Sequence, residues 1–175
     1  MKVSIITITY NSAATLPATL ASVAHQDYAE IEHILVDGNS TDGSQQILSA
    51  YAAQRSHVHY ISEQDNGIYD AINKGIRRAT GDIIGILNSD DVLASPEVIS
   101  HIVHAFQSAQ SPDVVYGISF GKSRTSADRS CPKRSVRHWF CLALSRLCCL
   151  SAPTRVGALC LPCLLLIVGV EQPVA

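Results

Sequence analysis

Ile31–Ser44 reads IEHILVDGNSTDGS: a run of strand length, a polar turn, and the opening of a helix. The β-branched core of Ile31–Val36 predicts a strand. Asp42-Gly43-Ser44 then predicts a helix start, continued by Ile47, Leu48 and Tyr51. Strand, polar loop and helix recur on both sides of this unit. Val3–Thr9 predicts a first strand, followed by a helix over 13–25 with Leu16, Leu20 and Val23 on one face, capped by Asn11 or Ser12. Val58–Ser62 is a third strand. Gly67–Ala79 is a helix with Ile68, Ile72 and Ile76 one turn apart, ended by Thr80-Gly81. Asp82–Leu87 is a fourth strand, Pro96–Ala109 a helix with Pro96 in its first turn, and Asp113–Tyr116 begins a further strand. Alternation of this kind predicts an α/β fold, a mostly parallel sheet flanked by helices with right-handed crossovers. Near-continuous apolar strands fit a sheet covered on both faces.

The pattern stops at about residue 117, and the composition changes there. Residues 1–117 hold five basic and thirteen acidic side chains, a net of −8, whereas 118–175 hold eight and two, a net of +6. All six cysteines fall in the second part and all five asparagines in the first. Two segments are therefore expected: a folded 1–117, and a Cys/Arg/Leu-rich 118–175 that reads as poorly ordered, in keeping with a shifted-frame translation. A chain cut short at this point is expected to leave a sheet edge unpaired. Val156–Val170 is apolar, but its fifteen residues fall short of a helical span of about twenty and Pro162 interrupts it, which makes membrane spanning the weaker reading. Cys160-Leu161-Pro162-Cys163 lacks the second ligand pair of a zinc site. The first apolar run ends at Ile8 with no cleavage pattern, so the N-terminus does not read as a signal peptide. The overall charge of −2 gives no reason to expect a nucleic-acid partner.

In an open parallel sheet, ligands bind beyond the carboxyl ends of the strands. Here those ends are Thr9-Tyr10-Asn11, Asp37-Gly38-Asn39-Ser40, Glu63-Gln64-Asp65-Asn66 and Asn88-Ser89-Asp90-Asp91. Such residues are ordinary turn formers singly; four polar or acidic termini on one rim point to a ligand. The sequence contains neither the glycine pattern of a dinucleotide fold nor a P-loop. Adjacent carboxylates Asp90 and Asp91 are costly side by side unless a cation or hydrogen-bond donors satisfy them. Mg²⁺ or Mn²⁺, bound through one or two carboxylates and completed by substrate phosphates, would supply that charge. The implied ligand is a metal-bridged diphosphate.

At these motifs the chain resembles the family 2 glycosyltransferases. The resemblance covers about residues 2–117 and rests on Val3–Asn11, Val36–Ser44, Glu63–Gly75, Gly81-Asp82 and Asn88–Asp91. It implies a GT-A-type (Rossmann-like) fold, seen here as its donor half, and transfer of a sugar, with inversion, from a nucleoside-diphosphate sugar, a UDP-sugar first of all, to a glycan or lipid-linked acceptor. It places the protein among bacterial polysaccharide or colanic-acid biosynthesis enzymes, in the cytoplasm at the inner face of the membrane, with peripheral membrane association. Carried over, Thr9, Tyr10 and Asn11 border the nucleoside pocket. Asp37 accepts a hydrogen bond from base or ribose, and Asp65 lies near the uracil or ribose. Lys74 reaches a phosphate or pairs with Asp70 one turn back. Asp90 and Asp91 match a D-x-D-like element whose first acid is Asn88 here, with Asp90 on ribose or metal and Asp91 on metal. Family members carry a general base after this element. Beyond Gly117 the only acids are Asp128 and Glu171, neither in a matching context, so no catalytic residue is assigned. The competing readings are a non-catalytic nucleotide-binding remnant and a membrane-tethered interaction module.

Overall fold

The computed structural model describes residues 1–108, 114–118 and 164–169. In chain order the elements are β1 (Val3–Thr9), α1 (Leu16–Ala24), β2 (Ile31–Asp37), α2 (Ser44–Ala53), β3 (Val58–Ser62), α3 (Ile68–Ile76), β4 (Ile83–Asn88), α4 (Val98–Phe106), β5 (Val114–Ile118) and β6 (Leu164–Gly169). The sheet order is β3-β2-β1-β4-β6-β5. The four strands β1 to β4 are mutually parallel, as the alternating pattern requires, and β1 lies at their centre with Thr9 opposite Asp37 and Ile8 opposite Asn88.

Side chains alternate across the sheet. Val3 and Ile5 of β1, with Ile83 and Leu87 of β4, pack with α4 and Val23 of α1. Leu35 of β2 and Val58 of β3 pack with Leu16, Leu20 and Leu48 of α1 and α2. The opposite parity, Ile6, Ile8, Ile34 and Val36, packs with Ala71 of α3. α3 approaches so closely that a Cβ on Gly75 would collide with Ile6 Cγ2, a branch of a fully buried residue that cannot swing aside. On this face Ile84, Ile86 and Asn88 of β4 stay only half-buried.

Four expectations need correction. The buried stripe of α3 is Ala71 and Gly75; Ile68 and Ile76 are exposed, because only small residues allow the helix to sit this near β1. α1 starts at Leu16, after a turn, and no side chain caps it; the Asn11 amide oxygen accepts from Thr41 N at 2.9 Å. Pro96 lies in a turn before α4. The edge of β4 is not left open: β6 pairs with it antiparallel, and β5 pairs antiparallel with β6. Leu164–Gly169, inside the apolar stretch weighed as a membrane helix, is thus a strand. Among the described residues no helix is long and apolar enough to cross a membrane. Cys148, Cys149, Cys160 and Cys163 lie outside the described residues.

Two buried ionisable groups tie the core to pH. Where β1, β2 and β4 begin, Glu32 accepts hydrogen bonds from Ser4 Oγ (2.6 Å), Thr80 N (2.9 Å) and Lys2 Nζ (3.2 Å). Burial alone would push its carboxyl up, but these donors together hold it down at about 2. His33 is wholly buried between Thr7 Oγ1 (2.9 Å) and the Tyr51 ring. Burial drives it down to about 3, and the charges of His57 and Arg55 push the same way. Both native values lie below the unfolded ones, so the unfolded chain binds more protons in acid. The His33 contribution is complete above pH 6.5 and is lost as pH falls toward 3; that of Glu32 is complete above 4.5 and is lost toward 2. Urea unfolding between pH 7 and 4.5 is therefore expected to lose up to about 1.4 kcal/mol per pH unit, and His33→Gln to flatten that slope. An equal slope in the variant would assign the acid sensitivity elsewhere.

Candidate functional site

α3 covers β1 and β2 but leaves the carboxyl end of β4 open on the same face. The result is a cleft of about 1020 Å³ whose lining includes Ile8, Thr9, Tyr10, Gly38, Asp65, Tyr69, Ile86, Asn88, Asp90 and Asp91. Every strand of the parallel core thus delivers residues to one mouth, either from its own end or from the loop that follows it.

The turn after β4 carries the acids. Asp91 N closes it on Asn88 O at 3.1 Å, and the Asn88 amide donates to Asp91 Oδ2 at 3.0 Å. Ser89, almost fully buried, anchors the turn to α1 by accepting from Thr19 Oγ1 on its carbonyl (3.0 Å), and its hydroxyl donates to Ser12 Oγ (2.8 Å). Asp90 is exposed and Asp91 half-buried. Burial pushes the Asp91 carboxyl above its ordinary range, the Asn88 amide pulls it back, and the neighbouring Asp90 charge pushes it up again. Asp90 and Asp91 appear in no ion pair among the described residues.

Across the mouth, Asp65 lies against the end of β2. A Cβ built on Gly38 would stand 2.5 Å from Asp65 Oδ2 and 3.3 Å from the Tyr10 ring. Glycine is required here by close approach alone. Asp65 Oδ1 accepts from Gly67 N at 3.0 Å, and Tyr10 is 66% exposed. Between these walls Thr9 is 4% exposed, and its Oγ1 has no hydrogen-bond partner in the structure. A buried hydroxyl left unpaired is costly; one lining a polar cleft is satisfied when a ligand enters.

The structure gathers Thr9, Tyr10, Asp65, Asn88, Asp90 and Asp91 at this cleft. It places three other sequence-derived candidates elsewhere. Asp37 is wholly buried beneath the rim, taking hydrogen bonds from Ser40 N (3.0 Å), Ser40 Oγ (2.5 Å) and Ser62 Oγ (2.8 Å). Asn11, with φ of 48°, bridges to the loop after β2. Lys74 turns to Gln64, Asp70 and Glu63. Sequence reasoning missed the apolar wall, Ile8, Ile86, Ile68, Tyr69 and Ile72. The helical repeat of Ile68 and Ile72 was visible, but period alone does not say which stripe faces the core. Among the described residues no three His, Cys, Asp or Glu side chains cluster as a metal cage.

A parallel α/β sheet with a polar cleft at its carboxyl rim defines a ligand-binding domain of the GT-A type, and comparison with solved structures agrees. The mannosyltransferase PcManGT from Pyrobaculum calidifontis, in complex with GDP-Man and Mn²⁺, superposes with a TM-score of 0.59 at 27% identity, covering 66% of this chain and 34% of that one. S. aureus TarS 1–349 in complex with UDP-GlcNAc gives 0.60 at 28%, covering 65% and 33%. The profile of Glycosyl transferase family 2 matches residues 4–160, and the chain belongs to that family. A PGL/p-HBAD biosynthesis glycosyltransferase of Mycobacterium bovis is 34% identical over 145 residues, 77% of this chain and 56% of the relative. The chain spans about half the length of the curated relatives it matches.

Proposed function

We propose that the cleft binds a nucleoside-diphosphate sugar, a UDP-sugar in the first instance, together with Mn²⁺ or Mg²⁺, and that the protein transfers the sugar with inversion to a glycan or lipid-linked acceptor. The observation that carries this reading is the pair Asp90 and Asp91, adjacent carboxylates without a cationic partner among the described residues, on the same cleft as Tyr10 and Asp65. Two carboxylates fit an ion that takes the rest of its shell from phosphate oxygens and water. Asp91 and Asp90 would hold it, and it would supply positive charge against the departing diphosphate. Tyr10 offers an exposed ring for the base, Thr9 an unpaired hydroxyl, and Asp65 an acceptor for base or ribose. Asp37 acts beneath them by fixing the Ser40 loop. The acceptor oxygen would bond to the anomeric carbon as the bond to diphosphate breaks. The complexes of the two similar structures, with GDP-Man and Mn²⁺ and with UDP-GlcNAc, support this ligand class. The same reading puts the enzyme in polysaccharide assembly, in the cytoplasm at the inner membrane face.

Isothermal titration of UDP with and without Mn²⁺ tests it. Binding is expected to strengthen at least tenfold with the ion; equal binding without it removes the metal from the proposal. A second reading, nucleotide binding without turnover, is favoured by one feature: among the described residues the carboxylates lining the cleft are Asp65, Asp90 and Asp91, each already assigned to donor or ion. UDP-sugar turnover separates the two.

A further inference from the structure

We infer that Lys74 is a positioning residue, a latch that holds the Glu63–Gly67 loop in the shape that presents Asp65 to the cleft; this rests on the donor-site reading above. Lys74 projects from the last turn of α3, and its side chain is 12% exposed. Its ammonium donates to Gln64 O at 2.7 Å and lies 3.3 Å from Asp70 Oδ2 and 3.6 Å from Glu63 Oε1. An ammonium has three protons, and three acceptors surround this one. It is therefore committed to the loop, and it is not among the residues lining the cleft.

Asp70 completes the latch. Its Oδ2 also accepts from Asn66 N at 3.0 Å. The carboxyl is held below its ordinary range, first by that backbone bond and then by Lys74. Lys74 and Asp70 thus grip the loop on both sides of Asp65, at Gln64 and at Asn66. The grip matters because the loop's other ties are few, Glu63 N to Asp37 O and Gly67 N to Asp65 Oδ1, both at 3.0 Å: Glu63, Gln64, Asn66 and Gly67 are exposed, and Gly67 sits at a φ of 103° with open space around it. Asp65 itself is wedged against Gly38, so a small drift of the loop lifts its carboxylate off the end of β2. Replacing one long cation by another should preserve the grip, whereas an apolar chain of similar length should not.

The test compares wild type, Lys74→Met and Lys74→Arg by UDP titration with Mn²⁺, thermal melting, and hydrogen exchange at the Asn66 and Gly67 amides. Lys74→Met is expected to weaken UDP about tenfold and to speed exchange of both amides at least tenfold, and Lys74→Arg to restore affinity to within about threefold. Asp65→Asn, costly in wild type, should cost little more in the Lys74→Met background. Wild-type affinity in Lys74→Met, or fully additive losses with Asp65→Asn, would overturn the latch. If wild type binds neither UDP nor GDP with Mn²⁺, the donor reading fails. The latch then stands or falls on exchange alone, with unchanged protection at Asn66 and Gly67 overturning it.

Discussion

Asp91→Ala is expected to lower Mn²⁺-dependent UDP affinity at least a hundredfold, about 3 kcal/mol, while Arg78→Ala stays within twofold. Asp91 is the half-buried member of the acidic pair, held toward the cleft by the Asn88 amide. Losing it leaves one exposed carboxylate, Asp90, to hold an ion against water. Arg78 is exposed two residues beyond the end of α3, and its guanidinium makes one long contact, 3.4 Å to Lys74 O. The stability readout is expected to move the other way. Burial and the Asp90 charge both disfavour ionised Asp91, so its removal relieves strain in the unliganded protein. A melting temperature at or above that of wild type, with binding lost, is the signature of a functional carboxylate. Equal losses in Asp91→Ala and Arg78→Ala would contradict the ion assignment.

The second large effect is expected from Gly38→Ala. A methyl group there must displace the Asp65 carboxylate and press on the Tyr10 ring, both on the donor side of the cleft. The backbone itself can accept alanine, since Gly38 is not among the residues with positive φ. The displaced atoms are the tip of a side chain and the edge of an exposed ring, so the fold absorbs the change and the site does not. UDP affinity is expected to fall about tenfold, with unfolding free energy changed by less than about 1 kcal/mol. A variant that binds UDP normally would show that Asp65 is free to move without consequence. One that unfolds would show that Gly38 serves the core.

Both effects concern residues that stand at the ends of strands, and this much was legible in the chain. β-branched runs followed by Asp, Asn and Gly predicted four parallel strands and a polar rim, because strand propensity and turn chemistry are local properties. Asp65, Asp90 and Asp91 could be chosen for the same reason: they follow directly after strands. Asp37 was legible as a rim residue, yet its depth was not. Ser40 and Ser62 close over it, and Ser62 belongs to another strand. Lys74 illustrates the same limit. Its i,i+4 relation to Asp70 could be read directly, whereas the Gln64 carbonyl that takes its shortest bond depends on how the loop folds back.

The sequence by itself determined the alternation of strands and helices, the acidic rim and the pair of carboxylates, since each depends on neighbours within a few positions. Only the tertiary structure decided that α3 buries Ala71 and Gly75 and turns Ile68 and Ile76 outward, that Gly38 lies against Asp65, and that β6 pairs with β4. These depend on how closely two distant pieces of chain approach, a distance set by packing side chains against one another and not by any stretch read alone.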